Sequence, residues 1–404
     1  MFLKKIWQLF YYNFICYILY SPFIVFLSLI LIFKNIRFGV IQTHRVGHLL
    51  TNTELYLITK KLKNQNTFDV IYKAKGVANK QAFKMIKRKL KIFPSQTVHV
   101  HRFFKIFSDT KFEIDVYKKN GDRDKLNLLS KSLTEIDFTK EEVEYGKKFI
   151  FEKFHCNIDK DKIIFLCVRD SEYLNKTFPK KNWDYHSYRD WKLDNFIEGC
   201  EKMTEKGYKI FRVGKYTNQK INSNNTNIYD YVNSNYRNDF IDIFLAKFSK
   251  FAVSTALGID NAALIFRKPI AMIHVPFELS YFHNSNLIMT KHHYSEKKKR
   301  NLSISEIFEV GKKNNFKYDT LTYKDNGISL KENSSKEITD FLLEMDLRVN
   351  NKFIGSDKHN KDLEEEFWKI FKFYLKQNDL EYIHGHFSGN ISNSFLKNNP
   401  DFLR

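Results

Sequence analysis

The first 35 residues carry the simplest pattern in the chain. From Phe14 to Phe33 every position is apolar or nearly so except Ser21, Pro22 and Ser28. Twenty residues at helical rise cover a hydrocarbon core of about 30 Å, so the stretch predicts a membrane helix. Lys4 and Lys5 precede it and Lys34 and Arg37 follow it, so flanking charge does not orient it. Pro22 removes a backbone donor near the middle and can kink or break the helix. A single span and a re-entrant hairpin with both flanks cytoplasmic both fit. A buried core helix fits less well, because there is no polar face. No small-residue cleavage site closes the run, and Trp7, Tyr11 and Tyr12 suit a bilayer interface, so the segment reads as retained.

Beyond it the pattern alternates. Residues 37–43 read as a strand, His44, Arg45, Val46, Gly47 and His48 as a glycine loop, and residues 52–63 as a helix with Glu54 in its first turn. Residues 68–72 repeat the strand pattern, 79–91 form a basic amphipathic helix, and 97–101 suggest another strand. A helix over 140–154 leads into residues 162–168, a continuous apolar run of the kind buried on both faces of a parallel sheet. There follow a helix at 194–205 capped by Gly207, a strand at 208–213, a helix at 238–248, a strand at 251–255, a short helix at 261–266 and a strand at 270–274. Helices at 337–348 and 361–376 close the chain. The stretch 218–227 reads as a surface loop and 297–300 as solvated. The expected fold is α/β: a membrane anchor over 1–35, Rossmann-like lobes over 36–155 and 156–335, and a helical tail over 336–404.

Composition narrows this modestly. A chain of 404 residues suits two globular units, and 43% hydrophobic with 16% aromatic residues supplies real cores and excludes disorder. The net charge of +21 calls for an acidic partner: nucleic acid, anionic lipid or a phosphate-bearing substrate. Abundant Lys, Asn, Ile and Phe also reflect AT-rich coding. No nucleic-acid module signature is present and the aromatics are dispersed, so no nucleic-acid partner is expected. Cys16, Cys156, Cys167 and Cys200 form no CxxC pair. Cys167 in an apolar run and Cys200 on a helix read as core residues of a reducing compartment, which places the lobes on the cytoplasmic side of the inner membrane.

Candidate chemistry gathers at strand ends. After the strand ending at Val253 and Ser254 come Thr255, Ala256, Leu257, Gly258, Ile259, Asp260 and Asn261, where backbone donors at a helix start suit a phosphate. The plain alternative is a capped turn in which Asp260 or Asn261 is the cap. Arg212 with Gly214 ends a second strand and Arg169 with Asp170 a third, so three strand ends converge on one anion-friendly edge. In the first lobe His44 or His48 can take a proton from a sugar hydroxyl, or simply face water. Their spacing matches a helical zinc pair, but Gly47 argues against a helix and no third ligand is evident, so no metal is expected. His186, Tyr188 and Arg189 line a pocket or merely pack. His292 with His293, and His384 with His386, show no partner set.

The run His44-Arg45-Val46-Gly47-His48-Leu49-Leu50-Thr51-Asn52-Thr53-Glu54-Leu55-Tyr56 resembles the opening motif of a group of uncharacterised bacterial glycosyltransferases. Val168-Arg169-Asp170-Ser171-Glu172-Tyr173-Leu174 resembles that group's second signature. Tyr188-Arg189-Asp190, Gly207-Tyr208, Arg212-Val213-Gly214, Tyr236-Arg237, Asp242 and Ser303 to Ile307 follow in order, and Ser394-Phe395-Leu396 to Pro400 resembles its closing motif. The resemblance covers nearly all of the chain after the anchor. It implies a GT-B-like pair of lobes, a nucleotide sugar bound mainly on the second as substrate rather than cofactor, no metal, and a lipid-linked or surface glycan acceptor. Where the family often reads Ser-Gly-Pro, this chain has Thr255-Ala256-Leu257-Gly258. On this scheme His48 is the expected general base, with Arg45, Arg169 and Arg212 offsetting the charge of the leaving diphosphate. Two other readings stay open: a polysaccharide pyruvyl transferase-like enzyme, and a non-catalytic basic protein that binds membrane or glycan. A Golgi enzyme with sequons at Asn175 and Asn224 fits the scarcity of cysteine less well.

Overall fold

The computed structural model describes residues 11, 13–31, 35–63, 67–106, 113–114, 124–274, 285–353, 358–380 and 389–404. They divide into two compact units, Met1–Asp122 with Ser132–Asp137, and Arg123–Lys131 with Phe138–Arg404. Lys4, Lys5, Trp7, Tyr12, Lys34, His384 and His386 lie outside the described residues.

In the first unit the apolar stretch is two helices, α1 (Asn13–Leu19) and α2 (Ser21–Ile30), bent by 68°. Pro22 sits in the first turn of α2, where a helix needs no amide donor, and Tyr20 before it leaves helical geometry at φ −96°. The Ser21 hydroxyl donates to the Ile18 carbonyl at 2.8 Å and closes the corner. No single helix among the described residues is long and apolar enough to cross a bilayer. The expected single span is therefore corrected: Pro22 divides it.

Next come β1 (Asn35–Ile41), α3 (Val46–Lys63), β2 (Thr67–Lys73), α4 (Lys80–Lys87) and α5 (Val98–Lys105). β1 and β2 pair in parallel from Asn35↔Thr67 to Ile41↔Lys73, and single bridges Phe38↔Glu113 and Tyr72↔Phe93 extend the pairing on either side. Among the described residues this is one β-α-β unit rather than a full Rossmann-like sheet. Ile24 and Leu27 of α2 share a core with Ile36, Phe38, Val70, Val100 and Phe104. Residues 97–101, expected as a strand, turn into α5, because Val100 and Phe104 reach this core at helical spacing. Val46, Gly47 and His48 likewise form the first turn of α3, not a loop.

Two motif residues of α3 are structural. The buried Glu54 carboxylate accepts the amides of Glu135 at 2.9 Å and Ile136 at 3.0 Å, which returns segment 132–137 to this unit. Tyr56 donates to Asp69 at 2.6 Å. Burial alone would raise the Asp69 carboxyl, but Arg37, Tyr56 and Lys60 hold it below the ordinary range.

The second unit is built on β3 (Lys162–Cys167), β4 (Tyr208–Arg212), β5 (Ile228–Tyr229), β6 (Phe251–Ser254), β7 (Ile270–Ile273), β8 (Leu287–Met289), β9 (His292–Ser295), β10 (Arg300–Asn301), β11 (Ile328–Lys331) and β12 (Asn390–Ile391). Seven of them form one parallel sheet in the order β12-β8-β7-β6-β3-β4-β5, while β10-β9-β11 form a small antiparallel sheet. β6 and β7 are buried at every position, as the apolar runs required. Around the sheet lie α6 (Lys140–Phe154), α7 (Asp194–Glu205), α8 (Asp239–Phe248), α9 (Asp260–Ile265), α10 (Ser335–Val349) and α11 (Asn393–Asn398). α8 packs with α6 and α9, and α10 with α7 and α11. Gly146 of α6 sits under the Phe244 ring, where a Cβ would come within 2.2 Å of a ring carbon.

Helix 140–154, expected with the first lobe, thus belongs to the second unit. The tail is integral as well: β12 extends the sheet beside β8, and Glu344 of α10 ties down α11. Its carboxylate accepts the amides of Asn393 (3.1 Å) and Ser394 (2.9 Å) and the hydroxyls of Ser392 (2.8 Å) and Ser394 (3.0 Å), and it pairs with Arg348 at 2.9 Å. All four cysteines are free and buried.

Two buried histidines link the fold to pH. His101 lies 2.9 Å from the Tyr72 hydroxyl and His293 lies 3.0 Å from the Lys291 carbonyl, and burial pushes both down to about 4. The unfolded chain takes up these protons near pH 6.5, and the folded chain refuses them until about pH 4. Their contribution is therefore fully present above pH 6.5 and is lost as pH falls toward 4, by up to about 3 kcal/mol each. Urea unfolding from pH 7 to pH 5 should show a falling midpoint, and His101→Gln should flatten that slope.

Candidate functional site

From β3 the chain proceeds outward to β4 and β5; it then returns past β3 and proceeds the other way through β6, β7 and β8. The strands β5-β4-β3-β6-β7-β8 thus follow the doubly wound order 3-2-1-4-5-6. Connections leave β3 and β6 in opposite directions and open a crevice at their carboxyl ends, the usual ligand position in such sheets. A second pocket of about 480 Å³, lined by Lys162, Lys250 and Lys268, lies by the amino ends of β3 and β6, the less favourable edge.

The sequence-predicted residues meet at this crevice, though several do work of another kind. The Arg169 amide donates to Thr255 Oγ1 at 2.8 Å and joins the two strand ends. Asp170 accepts the amides of Glu172 (3.1 Å) and Asn218 (3.1 Å) and the Thr217 hydroxyl. Arg212 is buried, and its guanidinium donates to the Gln219 carbonyl (2.8 Å) and Thr217 (2.6 Å) and pairs with Asp230 (3.3 Å). It shapes the 217–219 loop and has no open face for a phosphate, which corrects its expected role. Gly214 accepts from Arg237 Nε at 3.2 Å, and a Cβ there would press on Val232 at 3.3 Å.

The turn after β6 is partly bonded within itself. Ser254 donates to Asp260 at 2.7 Å, the Leu257 amide donates to Asp260 at 3.2 Å, and the Ala256 amide donates to Ser254 at 3.0 Å. Asn261 donates to the Gly258 carbonyl at 3.3 Å and to Asp260 at 2.7 Å. Burial raises the Asp260 carboxyl to about 6 despite these donors. Of the residues expected to bind a phosphate here, Thr255 accepts the Arg169 amide, and Asp260 and Asn261 bond within the turn, which also engages the amides of Ala256 and Leu257; a carboxylate occupies the start of the short α9.

What remains for a ligand comes from Arg169 and Asp170, expected at this edge, and from residues the sequence ranked lower. Arg189 donates to the Ala256 carbonyl, and Ala256 adopts a left-handed backbone (φ 60°) rare outside glycine. The Nε atoms of Arg169 and Arg189 and Oδ1 of Asp190 are buried without a hydrogen-bond partner; Arg169 Nε and Asp190 Oδ1 lie 3.2 Å apart but misaligned. Burial, then Arg189, lowers Arg169, and burial raises Asp190. Arg189 Nε is thus left with bonding capacity that water or a ligand can fill. Beside them Asp170, Asp190, Glu332, Tyr188, Trp191 and Lys291 line a pocket of about 450 Å³. Lys291 sits 4.4 Å from the Trp191 ring centre, donates to the Asp190 carbonyl, and is pushed down to about 8 by burial. Lys291 had no local signal beyond its position after β8. Arg189 and Asp190 were visible in the Tyr-Arg-Asp motif.

In the first unit Arg45 and His48 stand at the start of α3, whose N-terminal end favours anions. Thr43 fixes the turn before them by donating to the Ala74 carbonyl at 3.1 Å and receiving the Ala78 amide at 2.8 Å. Arg45 is exposed and His44 half-buried; burial, then Arg45 and His48, keep His44 below its usual range and so neutral at pH 7. His292, first read without a partner, lies 3.0 Å from Glu337, a structural pair. Among the described residues no group of three His, Cys, Asp or Glu side chains is placed to hold a metal.

No protein-family profile matches the chain, and no curated protein matches it. Solved structures similar to it include two glycosyltransferases. ADP-heptose LPS heptosyltransferase II of E. coli is 10% identical with a TM-score of 0.37, over 59% of this chain and 84% of that one. A family 9 glycosyl transferase from Veillonella parvula is 11% identical with a TM-score of 0.42, over 77% and 98%. Likeness at this level carries no argument about chemistry, which rests on the site.

Proposed function

We propose that the chain is a glycosyltransferase of the GT-B kind whose second unit holds a nucleotide-activated sugar at the β3/β6 crevice. The observation that carries this reading is the placement of the Arg169 and Arg189 guanidiniums where the strand order reverses, Arg169 paired with Asp190 and Arg189 with a buried Nε that no protein group accepts from. Arginine forks match diphosphate oxygens. Asp170, Asp190 and Glu332 supply acceptors for ribose or sugar hydroxyls, and Tyr188 and Trp191 supply ring surface.

In the transfer an acceptor oxygen bonds to the anomeric carbon as the bond from that carbon to the diphosphate breaks. His48, with His44 beside it, takes the acceptor's proton, and the two arginines offset the charge growing on the diphosphate, with no metal in the scheme. Arg45 at the start of α3 is the acceptor-side cation. The acceptor is a lipid-linked or surface glycan, and the work is done on the cytoplasmic side of the inner membrane. The free buried cysteines and the apolar N-terminal helices support that placement.

The test is a thermal-shift panel of sugar nucleotides on the full chain. One of them, at about 100 times its dissociation constant, should add about 2.7 kcal/mol of stability. Stabilisation by phosphoenolpyruvate and by no nucleotide would instead favour the pyruvyl transferase reading. His48→Ala should keep the donor-induced shift and lose transfer.

A further inference from the structure

Helices α1 and α2 bury one side and leave the other bare. Inward, Tyr17 meets Phe103 at 5.5 Å between ring centres, Phe23 meets Phe93 at 5.7 Å, and Ile24 and Leu27 enter the core. Outward, Phe14, Ile18, Leu19, Val25, Phe26 and Leu29 each stay more than half exposed, Leu19 at 69%. No charged residue interrupts them. Soluble proteins rarely leave so much apolar surface uncovered.

One cation stands beside the helix pair and others precede it directly in the chain. Lys91 Nζ lies 5.5 Å from the ring centre of Phe93, the residue packed on Phe23, and Lys87, Arg88 and Lys89 just before it are exposed. The helices are about 10 and 15 Å long, bent, and held to the core, so they do not reach across about 30 Å of hydrocarbon. A second copy is a poor occupant. The lysines favour an anionic occupant, which a second copy of a chain with net charge +21 does not supply.

We infer that the outer faces of α1 and α2 insert into one leaflet of an anionic bilayer, with Lys87, Lys89 and Lys91 on headgroup phosphates, so that the chain is held monotopically. This holds or fails independently of the sugar-transfer reading, because binding to vesicles is the readout. The full chain should float with phosphatidylglycerol-phosphatidylcholine vesicles and far less with phosphatidylcholine alone. Replacing Lys87, Lys89 and Lys91 together by glutamine should weaken binding about 100-fold. Phe26→Asp with Leu29→Asp should abolish flotation while leaving the melting midpoint in place, since both side chains lie outside the core. A wild-type chain that does not float, or an aspartate variant that floats equally well, overturns the inference. So does a wild-type dimer in light scattering that ignores vesicles and becomes monomeric in the aspartate variant, which would assign the face to a second copy.

Discussion

Arg189→Ala is expected to lower kcat/KM for the nucleotide-sugar donor by about 100-fold while the protein stays folded. A charge-assisted contact to a developing diphosphate is worth about 3 kcal/mol when its donor is removed from a desolvated site. The fold depends little on this side chain: its one hydrogen bond on view goes to the Ala256 carbonyl, from a partly buried residue. Arg189→Lys should recover part of the loss, because it restores charge without the planar fork. Arg169→Ala should cost at least as much activity and some stability besides, since it leaves Asp190 buried without its cation. Steady-state kinetics with thermal melts decide the matter. Unchanged kcat and KM in Arg189→Ala would remove the central support for the donor site.

Glu344→Ala should have the largest effect on stability, about 3–5 kcal/mol. The carboxylate gathers two amides, two hydroxyls and the Arg348 guanidinium, and alanine leaves both amides without their acceptor at a buried place, while Arg348 keeps Glu364 at 3.6 Å. The consequence should concentrate at the carboxyl end, where α11 and β12 are fastened through it. Denaturant unfolding gives the size of the loss, and limited proteolysis should show earlier cleavage near residue 390. Loss below about 1 kcal/mol would mean that packing of Phe395 and Leu396 holds the end unaided.

The doubly wound core was legible because its signals are local. A run such as residues 163–167 has few options once every position is apolar, and Thr139, Asn238 and Ser334 start helices with side-chain caps. Residues 97–101 misled, since alternation over five positions resembles a strand until Val100 and Phe104 are seen to share a core. The anchor misled in a similar way. Apolarity set its burial, but Pro22 and the packing of Ile24 and Leu27 set its shape.

The sequence by itself determined that this is a basic α/β protein with an apolar amino-terminal segment and reactive groups at strand ends, because periodicity and composition act over a few residues. Only the tertiary structure decided which of those groups stay open. Arg212 is enclosed by Thr217, Gln219 and Asp230, and Ser254 and Asp260 take the Ala256 and Leu257 amides of the turn after β6, whereas Arg189, some twenty residues from the β3 end, returns to it with a nitrogen unpaired. Whether a charge is a structural tie or a ligand contact depends on partners distant in the chain, and local pattern does not encode them.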